Sequence, residues 1–486
     1  MALSNSERSR TERADALTAA PLDILVVGGG IVGAGAARDA AMRGLSVGLV
    51  EQHDFAYGTS GRSSRLLHGG LRYLAQGRLR MVYQASHEKR ILHRIAPHIA
   101  EPLAFVFPTY RGSGWPLWKM RIGVKLYDLL CGGQNLGPST GLGREQTLSL
   151  LPGLLEKSLT GAVRYYDGLT SDARLVLDSL RSAARHGGLV LNYARLVEAA
   201  PSPSGWICRV EDIEAGRSLR IESRSVVNAT GPWSARLPHS RIRLRLTKGI
   251  HLVVDRARLP VPDAVSVTDG SRILFALPWG ERVVLGSTDT DYDGPIEAVR
   301  TEPADVEYVL GVINRYFPAA KLAPADVLST WAGLRPLLAS GRGGPSDISR
   351  AHRIAMAEPG WFDVAGGKLT TYRLIAEETV DRLVRFLGLS VPRCRTAEEP
   401  LVASADMPHA SAIVPPEPSA ELVAHYCAAE WAVHLDDVMI RRTSWHYYLP
   451  GREELADRVA GWMARTLGWA PERLAAEKAR YQQTLS

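Results

Sequence analysis

Apolar residues fall along this chain in two rhythms, and the change from one to the other marks its elements. Asp23-Ile24-Leu25-Val26-Val27 is a short apolar run that stops abruptly at Gly28-Gly29-Gly30. It predicts a fully buried parallel strand ending in a turn. The small-residue stretch from Ile31 through Ala41 follows as a helix, ended by Arg43-Gly44, and a second strand from Ser46 to Val50 stops at Glu51. Later, Ser225 to Ala229 reads as another buried strand, and Val364-Ala365 leads through Gly366-Gly367 into a helix over Tyr372 to Leu387. Between about 245 and 330 the pattern shortens to the β-rich runs Leu252–Val254, Arg272–Leu277 and Arg282–Leu285, which suggest an antiparallel sheet. Near the end, Leu455, Val459, Trp462, Met463 and Leu467 recur at helical spacing as the core stripe of a small helical domain.

Length and composition narrow this picture. With 486 residues, 45% hydrophobic and 22% charged, the chain reads as globular, with two or three structural units. No apolar run reaches the roughly eighteen residues that a bilayer-spanning helix needs. Residues 1–20 mix Arg with Glu and Asp and lack an apolar centre, so a disordered tail is expected there and not a targeting peptide. A net charge of +7 favours anionic partners, either phosphates, lipid headgroups or nucleic acid. Arg is scattered and no nucleic-acid module is recognisable, which removes the last of these. Cys131, Cys208, Cys394 and Cys427 form no CxxC pair, which argues against a metal site, a disulfide framework or a redox dithiol and suits a reducing cytosol.

The first strand–helix–strand unit carries G-x-G-x-x-G as Gly28, Gly30 and Gly33. Gly28 allows a tight turn, Gly30 lets the backbone approach a pyrophosphate, and Gly33 lets helix and strand pack closely. The helix N-terminus offers N–H groups to phosphates, and Glu51 is placed to accept from a ribose. An acid at that point suits FAD and NAD alike. Two further glycine-punctuated elements, Asn228-Ala229-Thr230-Gly231 and Gly366-Gly367-Lys368, favour FAD. The N–H groups of the second would face the flavin C2 carbonyl, where charge accumulates on reduction.

Thr59-Ser60-Gly61-Arg62-Ser63-Ser64-Arg65-Leu66-Leu67-His68-Gly69-Gly70-Leu71-Arg72-Tyr73-Leu74 resembles the T-S-x-x-S-S-K-L-[IL]-H-G-G-L-R-Y-L signature of FAD-dependent, aerobic, membrane-associated glycerol-3-phosphate dehydrogenases. These lie within the D-amino-acid oxidase-like flavoproteins. Lys248-Gly249-Ile250-His251, Gly286-Ser287-Thr288-Asp289, Gly333 to Leu337, Gly366 to Arg373 and Arg441-Arg442-Thr443 continue the similarity to about residue 445. Val32 stands where the family usually has Asn, Arg65 for Lys and Ala365 for Phe. The resemblance implies an α/β fold: an FAD-binding Rossmann-like domain of glutathione-reductase type, an antiparallel β-sheet substrate domain and a small C-terminal helical domain. On that plan residues 21–389 form the oxidoreductase region, with cofactor segments at 23–75, 160–245 and 330–388 and substrate segments mainly at 76–159 and 246–329. Residues 390–486 form the helical domain, and Pro400 to Pro418 is the clearest linker.

The same resemblance implies that Thr59, Ser60, Ser64, His68, Gly69, Gly70, Gly231, Gly367, Lys368, Leu369 and Thr370 join the glycine loop in binding FAD. It puts Arg335 beside a reacting hydroxyl and Arg72, Arg350 and Lys368 around a substrate phosphate. Residue logic agrees in part. Arg335 lies in the apolar segment Trp331 to Leu338, where an unpaired guanidinium is costly, although a buried salt bridge would also account for it. Lys368 opens a helix, a position that disfavours cations unless an anion is near. His251, opening the strand Leu252–Val254, is the general-base candidate, with a purely structural histidine as the other reading. Asp289 reads as a turn-forming residue, and no metal loop is recognisable.

The expected activity is oxidation of sn-glycerol 3-phosphate, with electrons passed to a quinone. The alternatives are an FAD oxidase of an amine, amino acid or hydroxy acid that reduces oxygen, and a non-enzymatic flavoprotein. Residues 114–130 combine Trp115, Trp118, Leu126 and Leu129 with Lys119, Arg121 and Lys125. That mix suits either a segment in a bilayer interface or a packed amphipathic helix. The partners expected are therefore a small phosphorylated substrate, a quinone and a membrane surface, with a homodimer as the assembly and no nucleic acid. The expected location is cytoplasmic, peripheral on the inner membrane face.

Overall fold

The computed structural model describes residues 8–484 apart from 76, 133–134, 271, 340–351 and 403–412, and the backbone alone at 72 and 75. Two large sheets carry the fold. The first has eight strands, and its main path runs His352–Glu358, Trp361–Gly366, Arg217–Asn228, Leu22–Val27, Val47–Val50, Leu189–Leu191. Leu22–Val27 is parallel to both neighbours, with Val26 opposite Val227 on one side and Leu49 on the other.

Its unbroken apolar run follows from being covered on both faces. Ile24 and Val26 pack under the helices Ile31–Met42, Asp172–Arg185 and Tyr372–Leu387. Leu25 and Val27 point the other way, against Trp206, Cys208 and the helix Arg10–Ala19. That last helix corrects the expected tail. Ser9 and Glu12 form a capping box, Arg10 pairs with Asp212 at 2.6 Å, and Ala14 and Leu17 are fully buried. Two buried apolar side chains in a mostly polar decapeptide give no visible stripe. Leu17 fits because Gly48 faces it, where a Cβ would collide with its side chain.

The second sheet has ten strands. Leu244–Asp255 lies antiparallel between Arg282–Gly286 and Val327–Leu338, and Ala264–Asp269 is parallel to Ala100–Tyr110. The sheet is therefore not purely antiparallel. Leu159–Thr170 and Val327–Leu338 belong to it as well, although the sequence segments 160–245 and 330–388 assigned them to the cofactor side. A strand is allotted to a sheet by its hydrogen-bonded neighbours, while the glycine motifs mark only the surfaces it faces.

Ala420–Ala429, Trp445–Tyr448, Arg452–Leu467 and Pro471–Gln482 form the helical C-terminal unit. Leu455, Val459 and Met463 are in its core, Trp462 packs at the margin, and Leu467 is exposed. Much of the linker expected at Pro400 to Pro418 lies outside the described residues.

Because the N-terminal helix belongs to the core, Leu17→Ala should cost about 2–5 kcal/mol, as buried leucine truncations do. Urea unfolding of the purified chain measures this, and a change near zero would return residues 10–19 to the status of a tail.

Candidate active site

A cavity of about 420 Å³ lies where the two sheets meet, within the size range of small-molecule sites. Its first wall is the turn after the strand Leu22–Val27. Gly28 has φ +114, which side chains rarely adopt, and a Cβ there would stand 2.6 Å from the Ala229 carbonyl oxygen. Gly28 and Gly30 line the cavity. Gly33 does not; a Cβ on it would overlap the Gly28 carbonyl oxygen, so it serves the helix–strand packing. Ser60 Oγ accepts from the Ile31 N–H at 2.9 Å, at the start of the helix. The Glu51 carboxylate accepts from the N–H groups of Gly29 at 2.7 Å and His53 at 2.8 Å. Burial raises its pKa to about 6 against the pull of those two donors.

The second wall is built by strand register. Thr247 lies opposite Arg335, Gly249 opposite Gly333 and His251 opposite Trp331. Alternate residues share a face, so the two glycines leave a trough between Arg335 and His251. The guanidinium fills it: a Cβ on Gly249 would overlap Arg335 itself. Arg335 donates to Ser287 Oγ at 2.8 Å, to the Thr288 carbonyl at 3.0 Å and to Asp289 Oδ1 at 3.1 Å. Asp289 is thus an ion-pair partner in the cavity wall and not merely a turn residue.

His251 is buried, stacked on Trp331 with centroids 5.1 Å apart, and its Nε2 lies 2.8 Å from Ser64 Oγ. Its Nδ1 has no hydrogen-bond partner among the described residues. Burial first, then Arg335 and Arg65, lowers its pKa to about 3, so the ring is neutral at ordinary pH. Behind it the buried Arg65 guanidinium sits 4.2 Å from Trp279 and 5.1 Å from Trp331, measured to the ring centroids.

A third wall joins two glycine turns. The His68 N–H donates to Thr370 Oγ1 at 3.0 Å, laying His68–Gly70 along Lys368–Thr370. Lys368 Nζ is 3.8 Å from the centroid of the Tyr73 ring. Thr59, Ser60, Ser64, His68, Gly70, Gly231, Gly367, Lys368, Leu369 and Thr370 all line the cavity. Gly69 does not. Its N–H donates to Tyr127 Oη at 2.8 Å, and a Cβ would strike that hydroxyl, so it is a packing glycine. Arg72 lies on the short helix Leu71–Ala75, but its side chain is outside the described residues, as is Arg350 altogether.

Phe105, Phe107, Tyr165 and Phe275, with Trp115 and Met120, make a fourth, aromatic wall. Sequence reasoning missed this wall and the roles of Ser287, Asp289, Tyr73 and Trp331. Tyr73, Ser287 and Asp289 stood inside the signature blocks, which was their only signal. Phe105, Phe107, Tyr165 and Phe275 come from three strands far apart in the chain and gave none.

The first and third walls fit an extended dinucleotide: a helix N-terminus, an acid fixed at a strand end, and glycine turns whose Cβ positions are taken. Comparison with known proteins agrees. Residues 23–382 match the FAD dependent oxidoreductase family DAO. Over 511 aligned residues the chain is 34% identical to glycerol-3-phosphate dehydrogenase 2 of Mycobacterium tuberculosis, covering 94% of this chain and 87% of that protein. It is 35% identical to alpha-glycerophosphate oxidase of Streptococcus pyogenes, covering 75% and 71%. The structure is similar to that of glycerol-3-phosphate dehydrogenase from Bacillus halodurans complexed with FAD, with TM-score 0.79, 28% identity and coverage of 99% and 97%.

The sequence expectation that a ribose hydroxyl donates to Glu51 predicts that FAD binding favours the ionised carboxyl and lowers its pKa. FAD affinity should be flat above about pH 6 and weaken as pH falls below it, by up to about tenfold per unit. Fluorescence titration of apoprotein measures the profile, and Glu51→Gln should flatten it; an unchanged slope in that variant would assign the dependence elsewhere.

Proposed function

The chain belongs to the FAD dependent oxidoreductases, and within them to the glycerol-3-phosphate dehydrogenase family, and from that premise we propose that it oxidises sn-glycerol 3-phosphate to dihydroxyacetone phosphate with a quinone as final acceptor. One observation carries the reading: one cavity is walled by a nucleotide-binding turn, by Arg335 and His251 on a second side and by Lys368 on a third. Bound in that cavity, FAD supplies the hydride acceptor, its N5 atom.

The side chains supply the rest. Alcohol oxidation requires the carbon to be held still, the developing alkoxide to be stabilised and the hydroxyl proton to be removed. Arg335 is assigned to the oxygen. It keeps its proton and cannot serve as base, and its three anchors fix the direction of its charge. His251 is assigned to the proton, being neutral and carrying an uncommitted Nδ1. A bound phosphate dianion opposes the two arginines that depress its pKa and so makes the ring more basic when substrate is present. Lys368 is assigned to the phosphate, together with Arg72 and Arg350 on the strength of the family motif.

The quinone assignment rests on the aromatic wall and on the helix Leu117–Leu130 beside it. Met120 of that helix lines the cavity, while Trp118, Ile122 and Leu129 are 65%, 61% and 70% exposed. Leu79 and Tyr83 of the neighbouring helix are exposed too. Trp115, expected among the lipid-facing aromatics, instead packs inward against Phe107. No helix among the described residues is long and apolar enough to cross a membrane. The outward face therefore supports peripheral seating on the inner membrane surface, with a quinone reaching the flavin from the lipid side. The similarity to an oxidase supports oxygen as a second candidate acceptor.

Anaerobic addition of glycerol 3-phosphate should bleach the oxidised flavin absorbance, and Arg335→Lys should slow the bleaching by about a hundredfold or more. An unchanged rate would remove Arg335 from its role, and peroxide formed at a matching rate in air would replace the quinone by oxygen. In a second measurement, Trp118→Ser with Leu129→Ser should reduce sedimentation with anionic lipid vesicles while leaving anaerobic bleaching intact. Equal sedimentation would refute the membrane face.

A further inference from the structure

The segment from Glu51 to Arg62 has two sides. On one, Glu51, Gln52, Tyr57, Gly58, Thr59 and Ser60 line the cavity. On the other, Asp54 and Phe55 are fully buried and turned toward the C-terminal unit. Asp54 Oδ2 accepts from Arg441 Nε at 2.5 Å and from Arg442 Nη1 at 2.5 Å, and Oδ1 accepts from Arg442 Nη2 at 3.0 Å and Asn192 Nδ2 at 3.1 Å. Arg442 also donates to the Glu430 carbonyl at 2.7 Å. Phe55 meets Trp431 edge to face at 5.5 Å, and a Cβ on Gly29 would lie 2.6 Å from its ring. The next residue closes the connection, because the Ala56 N–H donates to the Gly29 carbonyl at 3.0 Å. A strap that touches the nucleotide turn on its front is thus fastened from behind by residues almost four hundred positions later.

We propose that Asp54 is a positioning residue for FAD: through Arg441 and Arg442 the C-terminal helical unit holds the strap Glu51–Arg62 in its cofactor-binding shape, so that this unit acts as the clamp for the nucleotide. The inference rests on FAD occupying the cavity and goes beyond the choice of substrate or acceptor. The charge pattern supports it. Two guanidiniums face Asp54, and Arg441 is shared with Asp436 at 2.6 Å and Asp437 at 2.5 Å, while Tyr193 Oη donates to Asp437 and Arg480 Nε lies 3.2 Å from Asp436. Burial alone would raise the Asp54 carboxyl, but Arg442 and Arg441 hold it well below the usual range, so it is a fixed anion at ordinary pH. Asp54→Asn leaves Arg441 with Asp436 and Asp437 but Arg442 with only the Glu430 carbonyl, so the variant should lose stability together with the strap's anchor, and the effect on FAD has to be read against a control of similar burial.

The test uses the full-length flavoprotein, Asp54→Asn, Arg442→Lys and a control, Arg43→Lys. The control perturbs a comparably buried pair outside the strap and its fastening, Arg43 to Asp39 at 2.6 Å. FAD per chain after gel filtration, the Kd for FAD on reconstitution, and melting temperatures with and without FAD are measured. Asp54→Asn should raise the Kd by about tenfold or more and shrink the FAD-dependent rise in melting temperature. The control should lower both melting temperatures and leave that rise intact. Equal FAD retention in Asp54→Asn and wild type would overturn the proposal, as would a Kd change no larger than the control's. If Asp54→Asn fails to fold, Arg442→Lys, which keeps the charge and loses the fork, decides between the same outcomes. A wild-type protein that never takes up FAD would overturn the flavoenzyme reading itself, a result distinct from failure of the clamp.

Discussion

Arg335 lies where it does because the strand beneath it carries Gly249, and the rest of the second wall is arranged around that guanidinium. A planar cation partly removed from water must find acceptors on its edge and tolerant atoms under its face. Ser287, Thr288 and Asp289 provide the edge, and a backbone without a side chain provides the face. Shift the register of Leu244–Asp255 against Val327–Leu338 by one residue, and Gly249 leaves the trough while His251 turns to the opposite surface. The geometry of a dehydrogenase site here depends on one antiparallel ladder being in register.

That ladder belongs to one sheet and the nucleotide turn to another, so the site exists only as far as the two sheets are held together. Apolar packing does much of this, and buried ion pairs fasten the C-terminal unit to the first sheet's side. Arg174 with Glu430, and Arg441 and Arg442 with Asp54, join segments hundreds of residues apart in surroundings that exclude water. Such pairs contribute little net stability over an apolar substitute, because desolvation offsets their attraction. Their directionality is another matter: a forked guanidinium accepts one alignment of its carboxylate. The same desolvation, with Arg335 and Arg65 nearby, keeps the buried His251 neutral.

Much of the first sheet could be read from the chain alone. The run from Asp23 to Val27, the glycines that follow and the acid at Glu51 are local features whose meaning does not depend on distant partners. The helix Tyr372–Leu387 also appears at its expected residues. Other expectations changed on folding. Gly33 packs helix on strand as expected, but Gly69, grouped with the cofactor, packs against Tyr127, because a glycine required for close approach looks the same whether ligand or protein approaches it. The polar decapeptide Arg10–Ala19 became part of the core through two side chains and one facing glycine.

What the sequence determined by itself was therefore the set of short-range devices: where strands stop, where a phosphate meets a helix start, which blocks carry the signature of a flavoenzyme. Tertiary structure alone decided which residues stand together: Arg335 over Gly249, Asp289 beside Arg335, His251 between Ser64 and Trp331, and the aromatic wall of Phe105, Tyr165 and Phe275. The reason is physical. Backbone conformation and helix ends are set within a few residues, whereas strand register and buried ion pairing are chosen by competition among segments far apart, and no local pattern encodes the winner.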